Sequence, residues 1–179
     1  MKIRQSARLI ILDPQHRLLL MKIDDNRVID RARPNLTEFW ITLGGGLEAG
    51  ETFVAAAQRE LWEETGIQDA AIGPCLWKLE QEFSFSGELV HSVEHYFLVL
   101  VPSCDVTTER LFGEELKMFR DHRWWSMEEM EQTDEVFLPF GFYGLVELLT
   151  PVLAGNLPKV PMDVTSHQEG ARRRYQQAE

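Results

Sequence analysis

The chain has 179 residues, the usual length of one domain, and 44% of them are hydrophobic, which is enough for an ordinary buried core. Its net charge of −11 argues against a general nucleic-acid binder, because phosphate contacts need clustered lysines and arginines. The acidic charge does not exclude an anionic substrate, provided that bound cations reverse the local field. Cys75 and Cys104 are too few for a cysteine-rich zinc site and allow at most one disulfide, so we expect a reduced, cytoplasmic protein.

The first residues do not resemble a targeting signal. The apolar run at residues 9–12 is short and is stopped by Asp13 and Pro14, whereas a secretory signal needs a longer apolar stretch. No stretch approaches the roughly 20 apolar residues of a membrane span. We therefore expect no membrane partner.

The first predicted elements form a β-hairpin. Apolar runs at residues 7–12 and 17–23 are short enough for buried strands, and the "DPQH" between them suits a type I turn. A long polar connection follows at residues 24–38, and loops of this length are usually functional or disordered. The run "FWIT" then predicts a short strand that leads into three glycines.

The strongest predicted helix runs from Thr52 to Thr65. Glu51 and Thr52 suit the positive end of its dipole, alanines fill its middle, and Gly66 ends it. The runs "CLWKLEQEFSF" and "HSVEHYFLVLVP" then predict two strands joined at Gly87.

The last third of the sequence predicts one strand and two helices. The strand is "MFRDHRWWSM", the capping-box spacing of residues 126–129 opens a short helix, and a final helix runs from Pro139 to about Gly155. From Leu157 the chain turns polar, which predicts a domain at 1–156 and a mobile tail at 157–179. Strands on both sides of one early helix predict a mixed sheet between helices, in the α/β class.

Three carboxylates crowd one side of the long predicted helix. Glu60, Glu63 and Glu64 share a face, because positions i, i+3 and i+4 of a helix are neighbours. Like charges at this spacing cost about 0.2–0.5 kcal/mol per pair. The cluster suits a hard cation such as Mg²⁺, which binds through carboxylates, waters and substrate phosphates. Taken alone, the three residues are more typical of a solvated helix face.

A longer pattern distinguishes these two interpretations. Gly45, five residues, Glu51, seven residues and then "RELWEETGI" occupy every fixed position of the Nudix box, which the segment closely resembles. The matching residues are Gly45, Glu51, Arg59, Glu60, Leu61, Glu63, Glu64, Gly66 and Ile67. The flanking strands and the "HRWWSMEEM" segment extend the resemblance over most of the chain before the tail. One departure is Leu43, where many members carry proline.

Resemblance to the Nudix hydrolase family implies an α/β/α sandwich with a mixed β-sheet. It also implies hydrolysis, dependent on Mg²⁺ or a Mn²⁺ substitute, of a nucleoside diphosphate linked to a group X. The implied metal ligands are Glu60, Glu63, Glu64 and a carbonyl of Gly45 or its neighbour. Arg59 would pair with Glu51 and hold the loop against the helix. A nucleotide-binding module without turnover is the alternative, and a monomer and a homodimer both stay open.

The general base is left open among several carboxylates. Glu60 is the first choice within the box, because it lies next to the Arg59–Glu51 pairing. The candidates in the later segment are Glu109, Glu114, Glu115 and Asp121.

Substrate contacts are the least defined part of the prediction. Arg31 and Arg33 can grip phosphate, since guanidinium forks match phosphate oxygens, although solvated loop charges are an equal alternative. Trp40 and Phe83 can stack a base, although strand aromatics are more often core residues. Glu94 stands in an apolar strand, where an unpaired charge is costly, so we expect it to face the metal site.

Overall fold

The computed structural model describes residues 2–25, 35–85, 88–102, 105–111, 113–165 and 167. Its elements in chain order are β1 (Lys2–Leu12), β2 (Leu18–Asp24), β3 (Glu38–Ile41), β4 (Gly44–Gly46), α1 (Phe53–Thr65), β5 (Cys75–Phe85), β6 (Glu88–Leu100), α2 (Gly113–Met118), β7 (Phe119–Trp125), α3 (Met127–Glu131), α4 (Gly141–Leu153) and β8 (Met162–Asp163). In this part of the chain the strands form one sheet in the order β3-β2-β1-β6-β5-β8, with β4 paired to β1 and β7 paired to β2.

Helices cover both faces of this sheet. Leu9 and Ile11 of β1 share a buried cluster with Leu61 of α1, whereas Ile10 shares another with Leu149 of α4. Alternate residues of β1 therefore enter two different cores, as expected for a strand that is buried on both faces. Because β1 pairs in parallel with β6 and antiparallel with β2, the sheet is mixed. The predicted α/β/α sandwich is confirmed.

Most predicted elements are present with small shifts at their ends. The first hairpin closes at the Leu12–Leu18 pair, and β5 and β6 form the second antiparallel pair. The last helix begins at Gly141 rather than at Pro139. No helix in the described ranges is both long enough and apolar enough to cross a membrane.

Two elements before the predicted tail, α2 and β4, were not predicted from the sequence. The short helix α2 buries none of its residues, so no apolar periodicity marks it. Strand β4 consists of three glycines, which have a low preference for strands, yet it pairs antiparallel with β1 from Ser6 to Arg8. The pairing brings the glycines next to a buried strand.

The chain beyond Leu157 does not behave as a mobile tail throughout, and that part of the prediction is corrected. Residues 162–163 form β8, which pairs in parallel with β5. Val164 is fully buried in the cluster between the sheet and α4. A single buried valine among polar neighbours produces no periodic pattern, so the sequence could not reveal the docking. Residues 168–179 lie outside the described ranges.

Candidate functional site

Helix α1 carries two glutamates on its buried face. Its first turn is capped by the Thr52 hydroxyl, which accepts a 3.2 Å hydrogen bond from the amide of Ala55, and Gly66 ends the helix at a φ of 75°. The buried residues of this helix are Ala56, Ala57, Glu60, Leu61, Glu64 and Thr65. Glu60 and Glu64 are only 3% and 5% exposed. The helix therefore directs two carboxylates toward the sheet.

The glycines of β4 are required where the chain passes these carboxylates. At Gly44 the φ of 122° disfavours any side chain, and a Cβ there would overlap the carbonyl oxygen of Ala7. A Cβ on Gly45 would overlap the carboxylate of Glu60. The backbone amide of Gly44 donates a 2.6 Å hydrogen bond to Oε2 of Glu64. Backbone and carboxylates are thus in direct contact.

Arg59 connects the glycine strand, the loop and the helix. Its Nε and Nη2 donate to the two carboxylate oxygens of Glu51 at 3.0 and 2.9 Å, and Nη2 also donates to the carbonyl of Gly46 at 2.9 Å. Its Nη1 donates to Glu60 at 2.7 Å and to Glu63 at 3.0 Å. The Arg59–Glu51 contact is a fork-to-fork pair, which fixes geometry as well as charge.

Burial leaves the two inner carboxylates difficult to ionise. The pKa of Glu60 is raised by burial and by neighbouring carboxylates, against the opposing effect of Arg59. The pKa of Glu64 lies well above its usual range, because burial and the charge of Glu60 outweigh the hydrogen bond from Gly44. Positive charge brought to these oxygens would relieve both effects.

The donor set fits a hard divalent cation. Oε2 of Glu60 is buried and has no hydrogen-bond partner in the described structure, and an unpaired buried polar atom calls for a ligand. Carboxylate and carbonyl oxygens are the ligands that Mg²⁺ prefers. As the side chains stand, however, no three acidic or histidine residues of the described ranges converge closely enough to hold a metal ion. One oxygen of Glu60 and one of Glu63 accept hydrogen bonds from Arg59, so a full set of ligands needs a change of side-chain position.

Among the later candidates for the base, Glu115 interacts electrostatically with this cluster in the described structure. It is half-buried on α2, and burial together with the charge of Glu63 raises its pKa. Glu114 is exposed and pairs with Lys117, and the carboxylate of Asp121 accepts from the amide of the next residue. The position of Glu115 depends on α2, which sequence periodicity did not reveal.

A second buried charge pair adjoins the glycines. Arg8 on β1 forms an ion pair with Glu94 on β6, with 3.5 Å between Nε and Oε2. Glu94, which we expected to face the metal site, is thus bound to an arginine that also contacts the carbonyl of Gly44. Arg8 was missed, although it gives the same signal as Glu94, a charge within an apolar strand.

Most of the residues predicted to contact substrate lie outside the described structure. Arg31 and Arg33 lie outside the described residues, as does the side chain of Phe83. Trp40 is 3% exposed and its Nε1 donates a 2.9 Å hydrogen bond to Glu135. A ring so deeply buried offers no surface on which a nucleobase can stack. Trp40 is therefore a core residue, as the alternative interpretation held.

A known protein family matches most of the chain. A family model described as "NUDIX domain" matches residues 2–142, a range that includes all of the site. A protein of Haemophilus influenzae named dihydroneopterin triphosphate diphosphatase is 31% identical over 96 residues. The match covers 48% of this chain and 58% of that protein, so the chain spans less than two thirds of the relative's length.

Solved structures share the fold at low sequence identity. The MutT protein from Methanosarcina mazei Go1 has a TM-score of 0.57 and 20% identity, covering 87% of this chain and 96% of that one. The E. coli dihydroneopterin triphosphate pyrophosphohydrolase has a TM-score of 0.50 and 20% identity, covering 75% of this chain and 90% of that one. Likeness at this identity establishes the fold alone.

Proposed function

Since this chain belongs to the Nudix family, we propose that it is a divalent-cation-dependent hydrolase of a nucleoside diphosphate linked to a group X. The observation that carries the proposal is the crowding of Glu60 and Glu64 on the buried face of α1, against the glycines of β4. Burying two carboxylates side by side is costly unless a positive charge compensates them. The buried, unpartnered Oε2 of Glu60 supports a cation there.

The ligands that we assign to the cation are Glu60, Glu63, Glu64 and a carbonyl of Gly45 or of its neighbour Gly44. When bound, Mg²⁺ would neutralise charge on the diphosphate oxygens and make a bound water more acidic. Arg59 has a positioning role, because its fork on Glu51 and its bond to Gly46 hold the loop against the helix.

We assign the general base to Glu115. It is half-buried rather than enclosed, and its raised pKa, caused by burial and by Glu63, lies nearer the range useful for taking a proton from water. Glu60, the first choice from the sequence, is nearly fully buried and binds Arg59. It is better suited to holding a cation than to meeting a water molecule.

One relative adds a candidate substrate. The Haemophilus influenzae protein is named for a pterin triphosphate, dihydroneopterin triphosphate, which shares a triphosphate chain with nucleoside triphosphates. We include that compound as the second candidate substrate beside nucleotide derivatives.

Turnover with product identification tests the proposal. The purified chain is incubated with nucleoside triphosphates, nucleotide sugars, ADP-ribose, dinucleotides and dihydroneopterin triphosphate, with Mg²⁺ or with EDTA. We expect cleavage of one class into two phosphorylated products, or release of pyrophosphate, and no cleavage with EDTA. The matched control is the Glu63→Gln/Glu64→Gln double variant, which should bind no cation and turn nothing over. Nucleotide binding without turnover of any compound would favour the non-catalytic module.

A further inference from the structure

Arg8 lies next to the glycines of β4, which contact the carboxylates of α1. Its Nη1 donates to the carbonyl of Gly44 at 3.1 Å and, at a longer 3.5 Å, to the carbonyl of Thr42. The side chain is only 16% exposed. Removing a guanidinium from water costs free energy, and this cost is offset only if its N–H donors find acceptors in the protein. Here those acceptors are backbone carbonyls on either side of Leu43, and their directions are thereby fixed.

Glu94 supplies the opposite charge on the neighbouring strand β6. It is 4% exposed, and its two oxygens accept from the hydroxyls of Ser92 at 3.2 Å and Tyr96 at 2.7 Å. Although burial opposes ionisation, Arg8 and the two hydroxyls hold the pKa of Glu94 below its usual value. Buried ion pairs of this kind rarely add stability over apolar packing, so the fold alone does not account for this one.

One residue, Gly44, links this pair to the carboxylates of α1. Its carbonyl accepts from Arg8, and its amide donates to Oε2 of Glu64 at 2.6 Å. A carbonyl oxygen has two lone pairs, so the bond from Arg8 orients it and still leaves acceptor capacity. Partners that orient metal ligands in this way typically change metal affinity or activity by about 10–100-fold.

We propose that Arg8 is a positioning residue for cation binding, which holds Gly44 and its carbonyl in place beside the Glu64 carboxylate while Glu94 cancels its charge. Without Glu94, the guanidinium of Arg8 would repel a cation bound beside the glycines of β4. The inference rests on the proposed function in one respect, namely that the α1 glutamates bind a divalent cation.

The test measures Mn²⁺ affinity by the EPR signal of the free ion, without substrate and without turnover. The main variant is Arg8→Met/Glu94→Gln, which removes both charges, so that neither is left buried alone. Its matched control is Arg17→Met/Asp13→Asn, because Arg17 and the buried Asp13 also form an ion pair, 2.7 Å apart, in the turn between β1 and β2. Both variants should lose some thermal stability.

We expect the main variant to bind Mn²⁺ about 10–100-fold more weakly than the wild type, and the control to bind it with wild-type affinity. Equal affinity in the main variant and the wild type would overturn the inference. If the main variant does not fold, Arg8→Lys replaces it. A lysine keeps the charge but not the fork, so affinity should still fall, and unchanged affinity would overturn the inference as well.

Failure of the proposed function gives a different result. If the wild type and Glu63→Gln/Glu64→Gln bind Mn²⁺ equally, the cation is not held by α1, and both proposals fail together. If only the wild type binds and Arg8 has no effect, the proposed cation site survives and the positioning role is rejected.

Discussion

The backbone amide of Gly44 donates a 2.6 Å hydrogen bond to Oε2 of Glu64, which joins strand β4 to helix α1. The carboxylate thus has a structural role as an acceptor in addition to the proposed ligand role. These two roles can be separated by substitution, because an amide oxygen accepts the same bond without carrying charge.

Glu64→Gln should fold at least as stably as the wild type but lose turnover, whereas Glu64→Ala should lose both. The alanine leaves the Gly44 amide unsatisfied, at a cost of about 1–3 kcal/mol in the free energy of unfolding. Glutamine removes a buried charge and keeps the acceptor. Urea unfolding and turnover measured on both variants separate the roles, and equal stability of the two variants would contradict the structural one.

Glu115→Gln should reduce the turnover number by roughly 10²–10⁴-fold, the usual range for a general base, with no recovery at high Mg²⁺. Glu60→Gln, as a ligand variant, should recover in part when Mg²⁺ is raised. The control is Glu114→Gln on the same helix, whose side chain is exposed and pairs with Lys117. Rescue of Glu115→Gln by Mg²⁺, together with no rescue of Glu60→Gln, would return the role to Glu60.

Saturating Mg²⁺ should raise the melting temperature of the wild type, because an ion that binds only the folded state stabilises it by mass action. The gain is about 2.7 kcal/mol when the free ion is at 100 times its Kd. Differential scanning fluorimetry with and without EDTA measures it. The rise should be absent in Glu63→Gln/Glu64→Gln, and a full rise in that variant would locate the cation elsewhere.

Val164→Ala should lower the free energy of unfolding by about 1–3 kcal/mol, since it removes buried methyl groups and leaves a cavity. Val160 is the matched control in the same segment, because it is 73% exposed while Val164 is 0% exposed. Val160→Ala should change stability by less than about 0.5 kcal/mol. Similar effects for the two variants would mean that the segment does not dock in solution.

The ends and the buried face of α1 were predictable because they depend on residues close together in the sequence. Thr52, the alanines and Gly66 mark α1 at both ends, and the i, i+3, i+4 spacing places Glu60 and Glu64 on the buried face. The pairing of Arg59 with Glu51, which the family resemblance implied, is present in the structure.

Contacts between residues distant in sequence were not predictable in the same way. The apolar run at residues 7–12 does not predict that Arg8 contacts the carbonyl of Gly44, because this contact depends on the pairing of β4 with β1. Glu115 comes near the cluster only through α2, whose residues are all partly or fully exposed. Trp40 was ambiguous for another reason. An aromatic residue on a strand gives the same sequence pattern whether it lies in the core or contacts a ligand.

Strand β8 also determines how the sheet ends at β5. An open outer strand presents unpaired N–H and C=O groups that can recruit strands from other chains. The short β8 pairs with Trp77 and Lys78, and the exposed charged residues Glu80 and Glu82 discourage pairing farther along β5. Trimming the chain before Met162 would therefore uncover a template for self-association, even in molecules that keep their folded core.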